Sequence, residues 1–106
     1  MEMPLEIDVA TAARQHQQGA LLLDVREPFE RAICAVQGSR HVPMRQIPES
    51  LGELSREQPI LVLCHHGGRS LRVTQYLRAN GFANVSNVAG GIDAWAEQLD
   101  PSLTRY

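Results

Sequence analysis

Apolar residues in this chain collect into short runs separated by stretches with helical spacing. Ala20-Leu21-Leu22-Leu23-Asp24-Val25 and Ile60-Leu61-Val62-Leu63 have the length and composition of strands covered on both faces. Three shorter candidates accompany them: Leu5 to Ile7 as an edge strand, His41-Val42 before Pro43, and a last strand flanked by Val85 and Val88. Between the runs, Asp8 reads as the N-cap of a helix through Val9, Ala12, Ala13 and Gln17, closed by Gly19. Pro28 suits the first turn of a short helix through Phe29 to Ala32. Pro48 to Leu54 reads as another, weakened by Gly52.

A longer helix is expected from about Ser70 to Asn80, with Leu71, Thr74, Leu77 and Ala79 as its partly apolar face and Asn80-Gly81-Phe82 as its stop. Gly90-Gly91 turns the chain into a final helix whose Ile92, Trp95, Ala96 and Leu99 recur at i, i+3, i+4 and i+7, and Pro101 ends it. Strands and helices thus alternate throughout. That order predicts an α/β domain: a parallel sheet with helices on both faces, right-handed crossovers, and a site at the carboxyl ends of the strands. The 106 residues read as one domain, with a core from about 5 to 99 and a short tail over 100–106.

Composition narrows the chemistry. Hydrophobic content of 43% and charged content of 21% are those of an ordinary globular chain. All ten basic residues are arginines, which excludes Schiff-base lysine chemistry and a phosphate-loop lysine. A net charge of −2 without an arginine cluster argues against nucleic acid as a partner. The acidic start, Met1-Glu2-Met3-Pro4-Leu5-Glu6, does not read as a secretion signal, and no apolar run has the length of a membrane span. With Cys34 and Cys64 as the only cysteines, a reduced cytoplasmic setting is expected rather than a disulfide. A monomer without cofactor is the default expectation.

The stretch that carries chemistry follows the second apolar run: Cys64-His65-His66-Gly67-Gly68-Arg69-Ser70. Strand, tight loop and helix together aim backbone N–H groups and the positive end of a helix at one point, which favours a thiolate and stabilises an anion attached to it. A lone cysteine ending an apolar run is most often inert. Here Gly67 and Gly68 permit a nest of N–H groups, Ser70 can cap the helix, and Arg69 places a permanent cation at the rim. Cys64 is the expected nucleophile.

Spacing then selects the electrophile. Protein tyrosine phosphatases cradle phosphate in a loop with five residues between cysteine and arginine, whereas His65, His66, Gly67 and Gly68 make four. A shorter ring crowds a phosphoryl group and leaves room for the extra sulfur of a persulfide. A phosphatase or arsenate reductase is correspondingly disfavoured.

Three segments in order resemble the single-domain rhodaneses, the thiosulfate sulfurtransferase-like family. They are Leu22-Leu23-Asp24-Val25-Arg26-Glu27-Pro28 with Glu30, the Cys64 to Ser70 loop, and Gly81-Phe82 followed by Val85, Val88 and Ala89-Gly90-Gly91-Ile92-Asp93-Ala94-Trp95. The resemblance implies a five-stranded parallel sheet. It also implies a two-step exchange, in which Cys64 takes the outer sulfur of thiosulfate (or of a persulfide donor) and passes it to a thiol, cyanide or protein acceptor. Donors to the persulfide would be the N–H groups of residues 65–69. Cys34-Ala35-Val36 departs from the Gly-His-Ile frequent in the family, and the loop lacks the pattern of mercaptopyruvate sulfurtransferases. The tail, Asp100 to Tyr106, is similar to the ends of rhodanese modules fused to sulfur-carrier-activating enzymes. This keeps a second function open: a module relaying sulfur between proteins without significant thiosulfate turnover.

Other candidates carry plainer readings. Adjacent His65 and His66 rarely aim with Cys64 at one metal ion, so they are expected at the rim, adding positive potential when protonated. His16 and His41 read as surface or structural. Cys34 reads as a small buried residue, with a resolving thiol as the alternative. Asp24, Arg26 and Glu30 either support the loop or form structural ion pairs, and Trp95 reads as core packing.

Overall fold

The structure is a computed structural model describing residues 3–106; the Met1-Glu2 start of the acidic stretch lies outside the described residues. The elements run β1 (Glu6–Ile7), α1 (Val9–Gln17), β2 (Leu21–Asp24), α2 (Pro28–Ile33), β3 (Arg40–His41), α3 (Ile47–Ser50), β4 (Ile60–Leu63), α4 (Gly68–Ala79), β5 (Val85–Val88) and α5 (Gly91–Gln98). The strands form a five-stranded sheet in the order β1-β5-β4-β2-β3, every pairing parallel. The expected α/β architecture is therefore present.

β4 lies at the centre because it is apolar at every position. Leu21–Asp24 pair with Ile60–Leu63 on one side, and Val85–Asn87 pair with Ile60–Val62 on the other. Successive side chains alternate between faces. Leu61 and Leu63 pack with Leu22, Val88 and the Val9, Ala12, Ile92 and Trp95 side chains of α1 and α5. Ile60, Val62 and Cys64 pack on the other face with Leu23, Val25 and the Val73 and Leu77 side chains of α4. Cys64 continues the alternation one step past the strand, so it leaves the sheet at its carboxyl end beneath α4.

Local signals mostly act as read. Asp8 caps α1 by accepting from the Thr11 N–H at 2.8 Å. Pro28 stands at the start of α2, whose Glu27 and Glu30 complete a reciprocal capping box. Four expectations need correction. The 48–54 helix is only Ile47–Ser50 between two 3-10 turns, Met44–Gln46 and Leu51–Glu53, as Gly52 breaks the helical run. The third strand is Arg40–His41 rather than His41-Val42. In α4, Val73 is buried with Thr74 and Leu77, while Ala79 is exposed. α5 ends at Gln98, leaving Leu99 40% exposed instead of completing the apolar stripe.

Candidate active site

β4 delivers Cys64 to the carboxyl edge of the sheet, and the chain turns at once. Gly67 takes φ +108°, a left-handed conformation open to glycine, and is the N-cap of α4. Three donors converge on the Cys64 Sγ: the Gly67 N–H at 3.1 Å, the Ser70 N–H at 3.3 Å and the Ser70 hydroxyl at 3.2 Å. The residue is 1% exposed. An apolar shell with donors turned inward suits a sulfur anion, since buried charge is tolerated only where it is hydrogen-bonded. The N–H groups reaching Sγ itself are those of Gly67 and Ser70. Ser70 is not the cap; it sits in the first turn of α4 with its hydroxyl turned to the sulfur.

The orientation of those N–H groups is set from outside the loop. The Ile92 N–H donates to the Cys64 carbonyl at 2.8 Å and the Asp93 N–H to the His65 carbonyl at 3.1 Å. The start of α5 thus holds two loop carbonyls away from the sulfur. The approach is so close that a Cβ on Gly91 would lie 2.4 Å from the His65 oxygen and 2.5 Å from the Cys64 oxygen. Asn87 on β5 fastens the far side, donating from Nδ2 to the Gly67 carbonyl at 3.1 Å and to Glu6 Oε2 at 2.8 Å. Its Oδ1 also contacts the Ser70 hydroxyl, so that one hydroxyl proton faces two acceptors, Asn87 and Cys64.

Arg69 is not a free cation at the rim. It pairs with Glu30 of α2 through Nη1 to Oε1 at 2.6 Å and Nη2 to Oε2 at 2.8 Å. Those bonds hold the Glu30 carboxyl down at about 2, against the opposing effect of burial. Arg26 and Asp24 form a second pair, fully buried, with Nη2 to Oδ2 at 2.8 Å. Burial works against the Arg26 cation, and its hydrogen bonds to Asp24 and Tyr106 outweigh it, so its pKa rises. Arg26 also donates to the Glu30 and Cys34 carbonyls. Of the three supporting candidates, Glu30 reaches the loop directly, whereas Asp24 and Arg26 brace the segment that carries it.

The histidines occupy the rim in stacked form rather than as converging ligands. The His65 and His66 rings lie 3.8 Å apart, and the other face of the stack is Tyr106, 3.8 Å from His65 and 8° from parallel. Burial first, and then the neighbouring His66, push the His65 pKa down. The expected contribution of His65 to positive potential is therefore corrected: it resists protonation. His66 is exposed, with Nδ1 4.0 Å from Asp93. His16 contacts the Ala20 carbonyl and His41 the Arg26 carbonyl, both structural as read. Cys34 is half-buried and packs against the α1–α5 core, across the sheet from the core holding Cys64, and both thiols are free.

Two residues of the site escaped the sequence reading. Asn87 left a trace, being a side-chain amide inside a strand buried at every position. Tyr106 left none, because its place depends on the tail folding back over the sheet edge.

The model of the Rhodanese-like domain matches residues 9–98. The chain belongs to the rhodanese-like domain family. The domain is 41% identical over 91 residues to the chloroplastic rhodanese-like/PpiC domain-containing protein 12 of Arabidopsis thaliana, covering 82% of this chain but 30% of that protein. It is 34% identical over 96 residues to the thiosulfate sulfurtransferase GlpE of Vibrio cholerae, covering 90% of this chain and 91% of GlpE. Among solved structures, it superposes on a rhodanese-related protein of Thermoplasma volcanium with TM-score 0.81 and 31% identity, covering 91% and 94% of the two chains. The rhodanese-like domain thus spans less than a third of the Arabidopsis relative and nearly all of GlpE. No helix among the described residues is long and apolar enough to cross a membrane.

Proposed function

We propose that this domain is a sulfurtransferase in which Cys64 carries a sulfane sulfur as a persulfide, drawn from thiosulfate or a persulfide donor. The observation that supports it is the convergence of two N–H groups and one hydroxyl on a sulfur otherwise sealed in apolar surroundings. The Cys64 thiolate attacks the outer sulfur of thiosulfate; an S–S bond to Cys64 forms, the S–S bond of thiosulfate breaks, and sulfite leaves with the electron pair. An acceptor thiolate or cyanide then attacks the outer sulfur, and Cys64 departs as thiolate. The Gly67 and Ser70 donors bind the anion at each stage. Intact mass after incubation with thiosulfate tests the reading. One added sulfur atom in the wild type, absent in Cys64→Ser, is expected; equal gain in the variant, or an unchanged mass with both thiosulfate and a persulfidated protein donor, overturns it.

One observation favours a second reading, a relay that takes sulfur from a partner's persulfide with little thiosulfate turnover. Arg69 of the loop and Arg26 beside Glu30 are already paired, with Glu30 and with Asp24 respectively. A thiosulfate dianion therefore finds little unspent positive charge there, whereas a persulfide carries at most one negative charge. Comparing the rate of Cys64 loading from thiosulfate with that from a persulfidated protein separates the two. Both are consistent with a cytoplasmic setting and with one domain whose core spans about 5–99 and whose tail spans 100–106.

A further inference from the structure

Tyr106 touches one end of the Cys64 loop at His65 and reaches the other, Arg69, through Glu30. Its ring lies flat on His65, the residue after the nucleophile. Its hydroxyl donates to Glu30 Oε2 at 2.8 Å and accepts from Arg26 Nη1 at 2.9 Å. Glu30 in turn grips Arg69, the residue before Ser70, so the Ser70 donors and the His65 turn are tied to one side chain. The tail leading there is itself anchored. Leu103 packs against the α1–α5 core, and Arg105 donates to Asp93 at 3.0 and 3.1 Å and pairs with Glu97 at 3.3 Å. Glu30 already has its counter-ion in Arg69, so the Tyr106 hydroxyl adds placement rather than charge. Burial pushes that hydroxyl up to about 12, keeping it a neutral donor.

We propose that Tyr106 is a positioning residue that clamps the loop over Cys64 and so selects acceptors by size. The consequence for acceptors rests on the sulfur-transfer reading; the clamp itself is a statement about access to the thiol. With the clamp shut, a narrow nucleophile such as cyanide reaches the sulfur readily, and a bulky thiol must wait for the loop to open. Releasing either attachment raises the open fraction.

Two variants test it, each built on Cys34→Ser so that only Cys64 reacts. Tyr106→Phe keeps the ring on His65 and loses the hydroxyl bridge; Tyr106→Leu loses both. The rate of Cys64 alkylation by iodoacetamide is expected to rise about 5-fold in Tyr106→Phe and roughly 20-fold in Tyr106→Leu, the scale of one and then two lost contacts. The ratio of kcat/KM for glutathione over that for cyanide should rise in the same order, with thermal melting showing both variants folded at the assay temperature. Unchanged alkylation in Tyr106→Phe and in whatever fraction of Tyr106→Leu is folded overturns the clamp, and so does a rise in cyanide and glutathione rates by the same factor. Faster alkylation in proteins that transfer no sulfur leaves the clamp standing and removes the sulfur-transfer reading instead.

Discussion

Glu30 and Arg69 stand 39 residues apart and meet in two parallel hydrogen bonds at 2.6 and 2.8 Å, with Glu30 only 3% exposed. The pair joins α2 to the first turn of α4, beside the three donors to Cys64. Because the carboxyl is held from 4.5 down to about 2, the folded state binds that proton less readily than the unfolded chain. Its stabilisation is complete above 4.5 and disappears as pH falls toward 2. Chemical denaturation across that window should show a stability loss in the wild type that Glu30→Gln lacks. At neutral pH, Glu30→Gln should already be less stable by about 2 kcal/mol, since Arg69 is left without its counter-charge.

Arg69→Ala should not separate chemistry from folding, because it strands the buried Glu30 carboxylate. The double variant Glu30→Gln/Arg69→Met should recover at least about 1 kcal/mol relative to the sum of the single losses. A double-mutant cycle on urea unfolding reads this directly; additive losses would show that the two side chains are not coupled.

Ser70→Ala removes one of the donors to sulfur and leaves Asn87 Oδ1 without its hydroxyl partner. Persulfide formation should slow by about 10- to 100-fold, short of a full loss because both N–H donors remain. Stability should fall by roughly 1–2 kcal/mol. Stopped-flow loading of Cys64, alongside Ser70→Thr as the variant that keeps a hydroxyl, measures the contribution.

His65 resists protonation in the folded state, so below its ordinary value of 6.5 the unfolded chain takes up a proton that the fold does not. Stability should therefore decline as pH drops through 6.5 and lower. In a His65→Phe variant, which keeps a ring against Tyr106, that part of the decline should vanish. Thermal melts at paired pH values check it.

Much of this arrangement was legible because it is local. β4, the glycine turn and the cysteine lie in one continuous stretch, and period-two alternation places Cys64 on the α4 face. Pro28 and Gly67 act through their own backbone angles, and Asp8 through a hydrogen bond only three residues along the chain. The misread features are those decided by partners distant in the chain. Arg69 looks like a free cation until α2 brings up Glu30, and His65 looks exposed until the tail covers it. Ser70 resembles a cap because capping and sulfur binding ask for the same hydroxyl; only the position of Gly67 decides between them.

The close fit of Gly91 against the Cys64 and His65 carbonyls has a consequence for loop engineering. A glycine with φ +63° at that contact cannot take a side chain without displacing backbone, so Gly91→Ala should destabilise by roughly 2–4 kcal/mol. By the same contact, inserting a residue between Cys64 and Arg69 to admit a larger oxyanion would drive the lengthened turn into the start of α5. Ring size at the sulfur and the Gly90-Gly91 bend therefore form one unit of variation, and neither can be redesigned without the other.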